Sequence, residues 1–257
     1  MIELFLAELR RRWIEFRRYP VEAIAGIFLF SVIFYGLFLS ARYIAGPSFQ
    51  LGDRLDSIII GYVLWALVSF IQASIAGELQ REAQTGTLEQ LFLSRYGAIP
   101  VFLMRTLADL TLQLTLIVCI LLIIMALTGS RLSFPPALLL PFVTVLLGAY
   151  GFAFILGSLA LLLKRVQQLL FIFQFPLLFL LSVPTETWTG PAQILTQLLP
   201  MTTGAGLLRA LMARGESLNF TLLIIAFVNG AAYLAVGLVL FRLAEREAKR
   251  RGMLSGY

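Results

Sequence analysis

The sequence predicts an all-α, polytopic membrane protein with six transmembrane helices, an N-terminal interfacial amphipathic helix and a re-entrant helical pair before the last span. Three observations predict it. Of 257 residues, 60% are hydrophobic and 13% charged, against roughly 45–50% and about 25% in soluble domains; mean hydropathy is +0.91. The apolar residues gather into charge-free runs at 23–41, 57–77, 110–130, 132–163, 166–185, 187–208 and 217–241, most of them reaching the roughly 20 residues that cross a hydrocarbon core. The basic residues fall unequally on the two sides of these runs.

Residues 1–20 form the first element. Ile2, Phe5, Leu6, Leu9, Trp13 and Phe16 recur at helical spacing among arginines and glutamates, the pattern of a helix lying in the membrane interface; an ordinary solvated helix on a soluble partner is the alternative. Pro20 starts a new direction. No short apolar core with a small-residue cleavage site precedes the first span, so that span is expected to stay in the membrane. The domain 21–243 holds spans at about 22–41, 57–77, 105–128, 137–163, 166–183 and 219–241, and 244–257 is a basic tail.

The run 187–208 is long enough to span, but Pro191, Pro200, three glycines and several threonines suit a re-entrant pair shielded by protein. We therefore assign 185–212 to an outer re-entrant segment. With six spans both termini are cytoplasmic in the cell (inner) membrane. The cytoplasmic side then holds Arg10, Arg11, Arg12, Arg17, Arg18, Arg81, Arg95, Arg105, Lys164, Arg165 and the five C-terminal basic residues from Arg242 to Arg251, fifteen of twenty in all. That bias satisfies the positive-inside rule. The net charge of +6 is thus a topology signal directed at membrane lipids, and nucleic acid is not an expected partner.

Composition excludes several chemistries. The chain has no histidine and one cysteine, Cys119, so His-based metal sites, Ser-His and Cys-His catalysis and internal disulfides are out. Its two lysines, Lys164 and Lys249, stand in no glycine-rich phosphate-cradling loop. The chain is not expected to be an enzyme or to hold a cofactor.

The link 78–100 is too long for a simple helix connection. Gly86 breaks it, and Thr87 with Gln90 three residues on forms a capping-box pattern. Leu88, Leu91 and Phe92 make an apolar patch on the short helix that follows, with Glu89 and Arg95 among them; Gly97 and Pro100 end it. Such a patch either rests on lipid and the protein's own helices or is gripped by another protein. The stretch from Glu82 to Leu91, E-A-Q-T-G-T-L-E-Q-L, resembles the E-x-x-x-G-T-L-E-x-L loop of ABC-2-type transporter permeases. The resemblance extends over essentially the full chain.

Several expectations follow from that resemblance. Glu82, Thr87, Leu88, Glu89, Gln90, Leu91 and Phe92 would form a coupling helix docked on an ATP-binding cassette ATPase subunit, and the tight cytoplasmic link Lys164–Arg165 is grouped with them. ATP and Mg would belong to that partner chain. A second permease chain, identical or not, would complete a dimer. Pro200, Thr202 and Arg209 lie in a stretch similar to the family's N-P-L-T…E-A-x-R segment, departing from it at Leu199 and near Gly206. Export of an amphipathic substrate is the implied function.

Polar residues inside the spans form two further sets. Tyr62, Trp65, Ser69 and Gln72 share one face of span two. Gln167, Phe171 and Gln174 share one face of span five. Polar groups in lipid need partners, so both faces should point inward, either lining a translocation pathway or packing helices. Arg105 and Asp109 share one face of span three, as a structural pair or as a proton-coupling site. Gly148, Gly151, Gly157, Gly230 and Gly237 are read as close-packing positions. An ion-coupled secondary transporter is the main alternative function, with Asp109 its best-placed acid; an intramembrane enzyme has no evident base for a serine nucleophile.

Overall fold

The computed structural model describes residues 2–45, 52–85, 98–162, 167–188 and 190–250. The helices among them are α1 Ile2–Arg18, α2 Pro20–Ala45, α3 Gly52–Thr85, α4 Ala98–Thr128, α5 Leu139–Leu162, α6 Gln167–Ser182, α7 Pro191–Leu198, α8 Thr202–Met212 and α9 Phe220–Arg250. Five helices contain stretches long and apolar enough to cross a membrane: Ala23–Ser40, Leu55–Gly77, Leu103–Thr128, Pro136–Leu161 and Phe220–Ala248. The remaining expected span, at about 166–183, corresponds to α6, whose 16 described residues reach only about 24 Å at 1.5 Å per residue.

Element ends differ from expectation in three places. α3 continues through Thr85, so the start of the 78–100 link is helical, and Gly86 is the first residue beyond it. α4 begins at Ala98, which puts Pro100 in its first turn. A proline is tolerated there because that N–H has no intrahelical acceptor; Pro100 lies inside the start of this helix. α9 runs on to Arg250, so the basic tail begins as a helical extension.

The bundle is built around α3. Of its apolar stretch 78% is buried, against 11% for α2 and 17% for α9. A helix apolar all round belongs at such a hub: Ile59, Leu67, Ile71 and Ile75 are completely enclosed. The outer helices turn Phe28, Val118, Phe175 and Phe227 outward, as lipid-facing walls require.

Contacts fix the helix directions. Phe34 stacks on Tyr62, and Phe30 on Phe70, so α2 and α3 are antiparallel. Ser130 Oγ donates to Asp56, and Ser74 Oγ to Asp109, so α4 is antiparallel to α3. α6 is also antiparallel to α3: Trp65 Nε1 donates to the Gln174 carbonyl at 3.0 Å, while Gly61 faces the Leu181 carbonyl so closely that a Cβ there would collide with it. α5 and α9 run parallel. Gly230 meets the Thr144–Gly148 backbone, Gly151 meets Tyr233 and Leu234, and Phe154 packs edge-on against Phe241 at 5.4 Å. The expected packing role of Gly148, Gly151, Gly157, Gly230 and Gly237 is what the structure contains. Gly148 receives Met201, and Gly157 receives Ile75 and Leu79.

The uncharged run 187–208 is broken into two short helices. α7 has 8 residues and α8 has 11, about 12 and 16 Å, so neither crosses a bilayer. Met201 between them takes a left-handed conformation, φ 64°, which costs a non-glycine residue about 1–2 kcal/mol. Its side chain is buried against Gly148, and Thr202 Oγ1 closes the turn on the Leu199 carbonyl at 3.0 Å. The last carbonyls of α7 accept hydrogen bonds from Asn229 and Tyr233 of α9, satisfying groups that a helix end leaves orphaned.

Candidate functional site

Glu82 lies on the last turn of α3; its side chain, together with Thr87, Leu88, Glu89, Gln90, Leu91, Phe92, Lys164 and Arg165, lies outside the described residues. Their anchorage is described. Because α3 and α4 are antiparallel neighbours, Thr85 and Ala98 lie at the same end of the bundle.

Beside that end, α1 is joined to α4 by buried charge. Arg105 Nε donates to Glu8 Oε1 at 3.3 Å. Arg12 Nη2 donates to Asp109 Oδ2 at 2.9 Å, and Arg12 Nη1 to Glu15 Oε2 at 3.0 Å. Arg11 bridges Glu8 and Glu15. Glu8, Arg105 and Asp109 are buried. Arg105 and Asp109 do share a face, as their spacing demands, and that face looks at α1. Leu6, Trp13 and Ile14 point away from the protein. α1 thus turns Glu8 and Arg12 toward α4 and half-buries Phe5, Leu9 and Phe16, while Glu3, Arg10, Arg17 and Arg18 stay exposed with Leu6, Trp13 and Ile14.

The polar face of α3 is divided among several neighbours. Tyr62 is buried and donates to the Phe30 carbonyl at 2.7 Å; Trp65 binds α6 as described. Ser69 and Gln72 are buried. Gln72 is 1% exposed, and neither its nitrogen nor its oxygen has a hydrogen-bond partner among the described residues. On α6 the inward expectation fails for Phe171, which is 66% exposed; with Ile172, Phe175 and Phe179 it forms an outward apolar face. α6 instead meets α3 through the Gln174 backbone and Leu181. The Gln167 side chain lies outside the described residues.

At the other end of α3 sits a second charge cluster. Arg209 is fully buried. It donates from Nε and Nη2 to both Glu186 oxygens, at 3.0 and 2.6 Å, and from Nη1 to the Leu181 carbonyl at 2.6 Å. Arg214 adds a hydrogen bond to Glu186 at 3.1 Å and another to Glu216 at 2.6 Å. Arg209 therefore caps α6 and ties it to α8. Burial alone would raise the Glu186 pKa, but the hydrogen bonds and charge of Arg209, with help from Arg214, hold it below the ordinary carboxylate value.

Gly206 lies against Glu186: a Cβ at Gly206 would stand 3.4 Å from the Glu186 Cβ, in van der Waals contact. Glu186 was missed in the sequence because its partners lie 23 and 28 residues away. A signal existed, since it is the only acid between Asp109 and Glu216, and a lone acid flanked by apolar runs needs a cation.

Long apolar helices around an enclosed hub, with lipid-facing outer walls and buried charges matched in pairs, define a multi-pass membrane protein. The family described as ABC-2 family transporter protein matches residues 48–243. The chain belongs to that family, the membrane-embedded transport components that associate with an ATP-binding cassette ATPase. Comparison with curated proteins finds no match.

Proposed function

We propose that this chain is the membrane-spanning permease subunit of an exporter for an amphipathic substrate (a lipid, a lipid-linked glycan or a hydrophobic drug), driven by a separate ATPase subunit that binds ATP and Mg. Two permease chains pair, in the inner membrane, with all termini cytoplasmic. The observation that carries the reading is that Thr85 of α3, the bundle's hub, and Ala98 of α4, the helix ion-paired to α1, lie at one end of the bundle. The Glu82–Leu91 motif starts on α3 just before that end. A push on that segment reaches the hub directly.

Helix direction supports six crossings. α5 and α9 run parallel, so the chain between them returns across the membrane, and α6 is the element positioned to do so. Its 16 residues cross by local thinning of the bilayer around them. α7 and α8 then form the outer re-entrant pair. The outward Phe171, Phe175 and Phe179 face supports a path along α6 between two chains. Against ion-coupled transport, Asp109 is already occupied by Arg12 and Ser74.

The test is ATPase stimulation in the reconstituted complex. Glu89→Lys combined with Leu91→Asp should abolish stimulation while the chain still inserts. Normal stimulation refutes the coupling role. Transport that follows an ion gradient, from a chain purified without any ATPase, would favour the secondary-transporter alternative.

A further inference from the structure

A cavity of about 520 Å³ opens between α1, α3 and α4 beside the ion-paired seam, a size typical of small-molecule sites, roughly 300–1,000 Å³. We propose that it binds an amphiphilic cation, an amine or ammonium head on an apolar body, taken from the cytoplasmic leaflet. This rests on the transporter reading above, whose substrate class it narrows.

The cavity is graded along its length. One end is walled by Arg12, Glu15 and Asp109 and the other by Leu116 and Phe70. Asp109 and Leu116 are seven residues apart on α4, about 10 Å, so a molecule lying along it keeps its head by the charges and its body among apolar groups. The same orientation holds for any amphiphile in that leaflet.

The charge arrangement selects the sign of the head. All three Arg12 nitrogens already face carboxylate oxygens of Glu15 or Asp109. An anionic head would have to dismantle those pairs. Glu15, which is only part-buried, accepts one hydrogen bond on each oxygen, from Arg11 and from Arg12, and so keeps further acceptor positions, since an ionised carboxylate has about four. Phe16 and Phe70 also line the wall, and aromatic rings attract cations; the Tyr19 ring beside them already holds the Arg18 guanidinium, 5.7 Å from its centroid. Gln113 also lines the cavity and makes no hydrogen bond to the protein among the described residues. An amide within a membrane-spanning helix needs a polar partner, which the bound head supplies.

Gly77 provides a clean way to close the cavity. It lies on the wall, and a Cβ there would meet nothing within 4 Å. Gly77→Leu therefore fills space without a clash and also favours the helix. The experiment is binding of rhodamine 6G, a cationic amphiphile, to the full chain in lipid nanodiscs, read by fluorescence anisotropy, with anionic dodecyl fluorescein as the counter-probe. Saturable rhodamine 6G binding is expected, weakened at least about tenfold by Gly77→Leu and by Glu15→Gln, and unchanged by Phe227→Ala on the outward face of α9. Binding unaffected by both cavity variants, or dodecyl fluorescein binding as tightly, overturns the proposal. Partner-stimulated ATPase activity with no rhodamine 6G binding sinks the cavity and leaves the transporter reading intact. Rhodamine 6G binding that shows the expected variant pattern in a chain no ATPase recognises supports the cavity and sinks the transporter reading.

Discussion

α9 lies against α5 through glycine, and α1 lies against α4 through charge. In the first seam Gly151 and Gly237 bring two backbones together so closely that neither position has room for a methyl group. In the second, Glu8 and Arg12 on one helix face Arg105 and Asp109 on the other, four residues apart in each and opposite in sign. A glycine seam is held by dispersion over close surfaces, and any separation loses it. An ion-paired seam specifies register: sliding α1 by one turn would set Arg12 against Arg105, like against like. The comparison teaches that α5 and α9 form a rigid unit, while α1 is keyed to α4, the helix that leaves the motif-bearing segment.

Breaking the charged seam should have the largest effect. Glu8→Arg leaves Arg105 facing a like charge in a buried site and is expected to cost about 3–5 kcal/mol, measured by thermal unfolding of the purified protein. Adding Arg105→Glu should recover most of the loss. Failure of the double variant to recover would mean that the pair does not set the register. Gly151→Leu attacks the other seam and should cost about 1–3 kcal/mol through overpacking, with no single exchange on α9 restoring it. Equal stability of Gly151→Leu and wild type would show that the helices are not in close contact.

Acid should separate the two ends of the bundle. The folded-state pKa of Glu186 is depressed, so its stabilising contribution is complete above the unfolded carboxylate value of about 4.3 and is lost as pH falls through the lowered folded value. Thermal stability should therefore decline in acid below about pH 4, with that limb reduced in Glu186→Gln, whose baseline is already lower. The smallest effect is expected at the hub. Gln72→Met replaces a buried amide that has no partner among the described residues and should raise stability by about 1 kcal/mol. A loss on that substitution would show that Gln72 finds a partner in the resting protein.

Much of this architecture was legible before any coordinates, and for a simple reason. Charge-free runs such as 57–77 and 217–241 report membrane crossing by length alone, and glycines such as Gly151 report close approach. Helix orientation about its own axis was not legible. The pattern of Leu6, Trp13 and Phe16 identified an amphipathic helix, yet only the contacts on α4 reveal that Glu8 and Arg12 face the protein. Phe171 was misread for the same reason: its spacing places it on a face, and nothing in the spacing says which face α3 receives. The Glu186–Arg209 pair joins residues far apart in sequence, where local periodicity carries no information.

The most direct measurement is side-specific cysteine labelling in intact cells, in a Cys119→Ser background. Ser94→Cys should be labelled only after permeabilisation, and Gln193→Cys, exposed on α7, should be labelled from outside without it. Labelling of both positions from one side would contradict a six-span permease that presents its α3–α4 segment to a cytosolic ATPase.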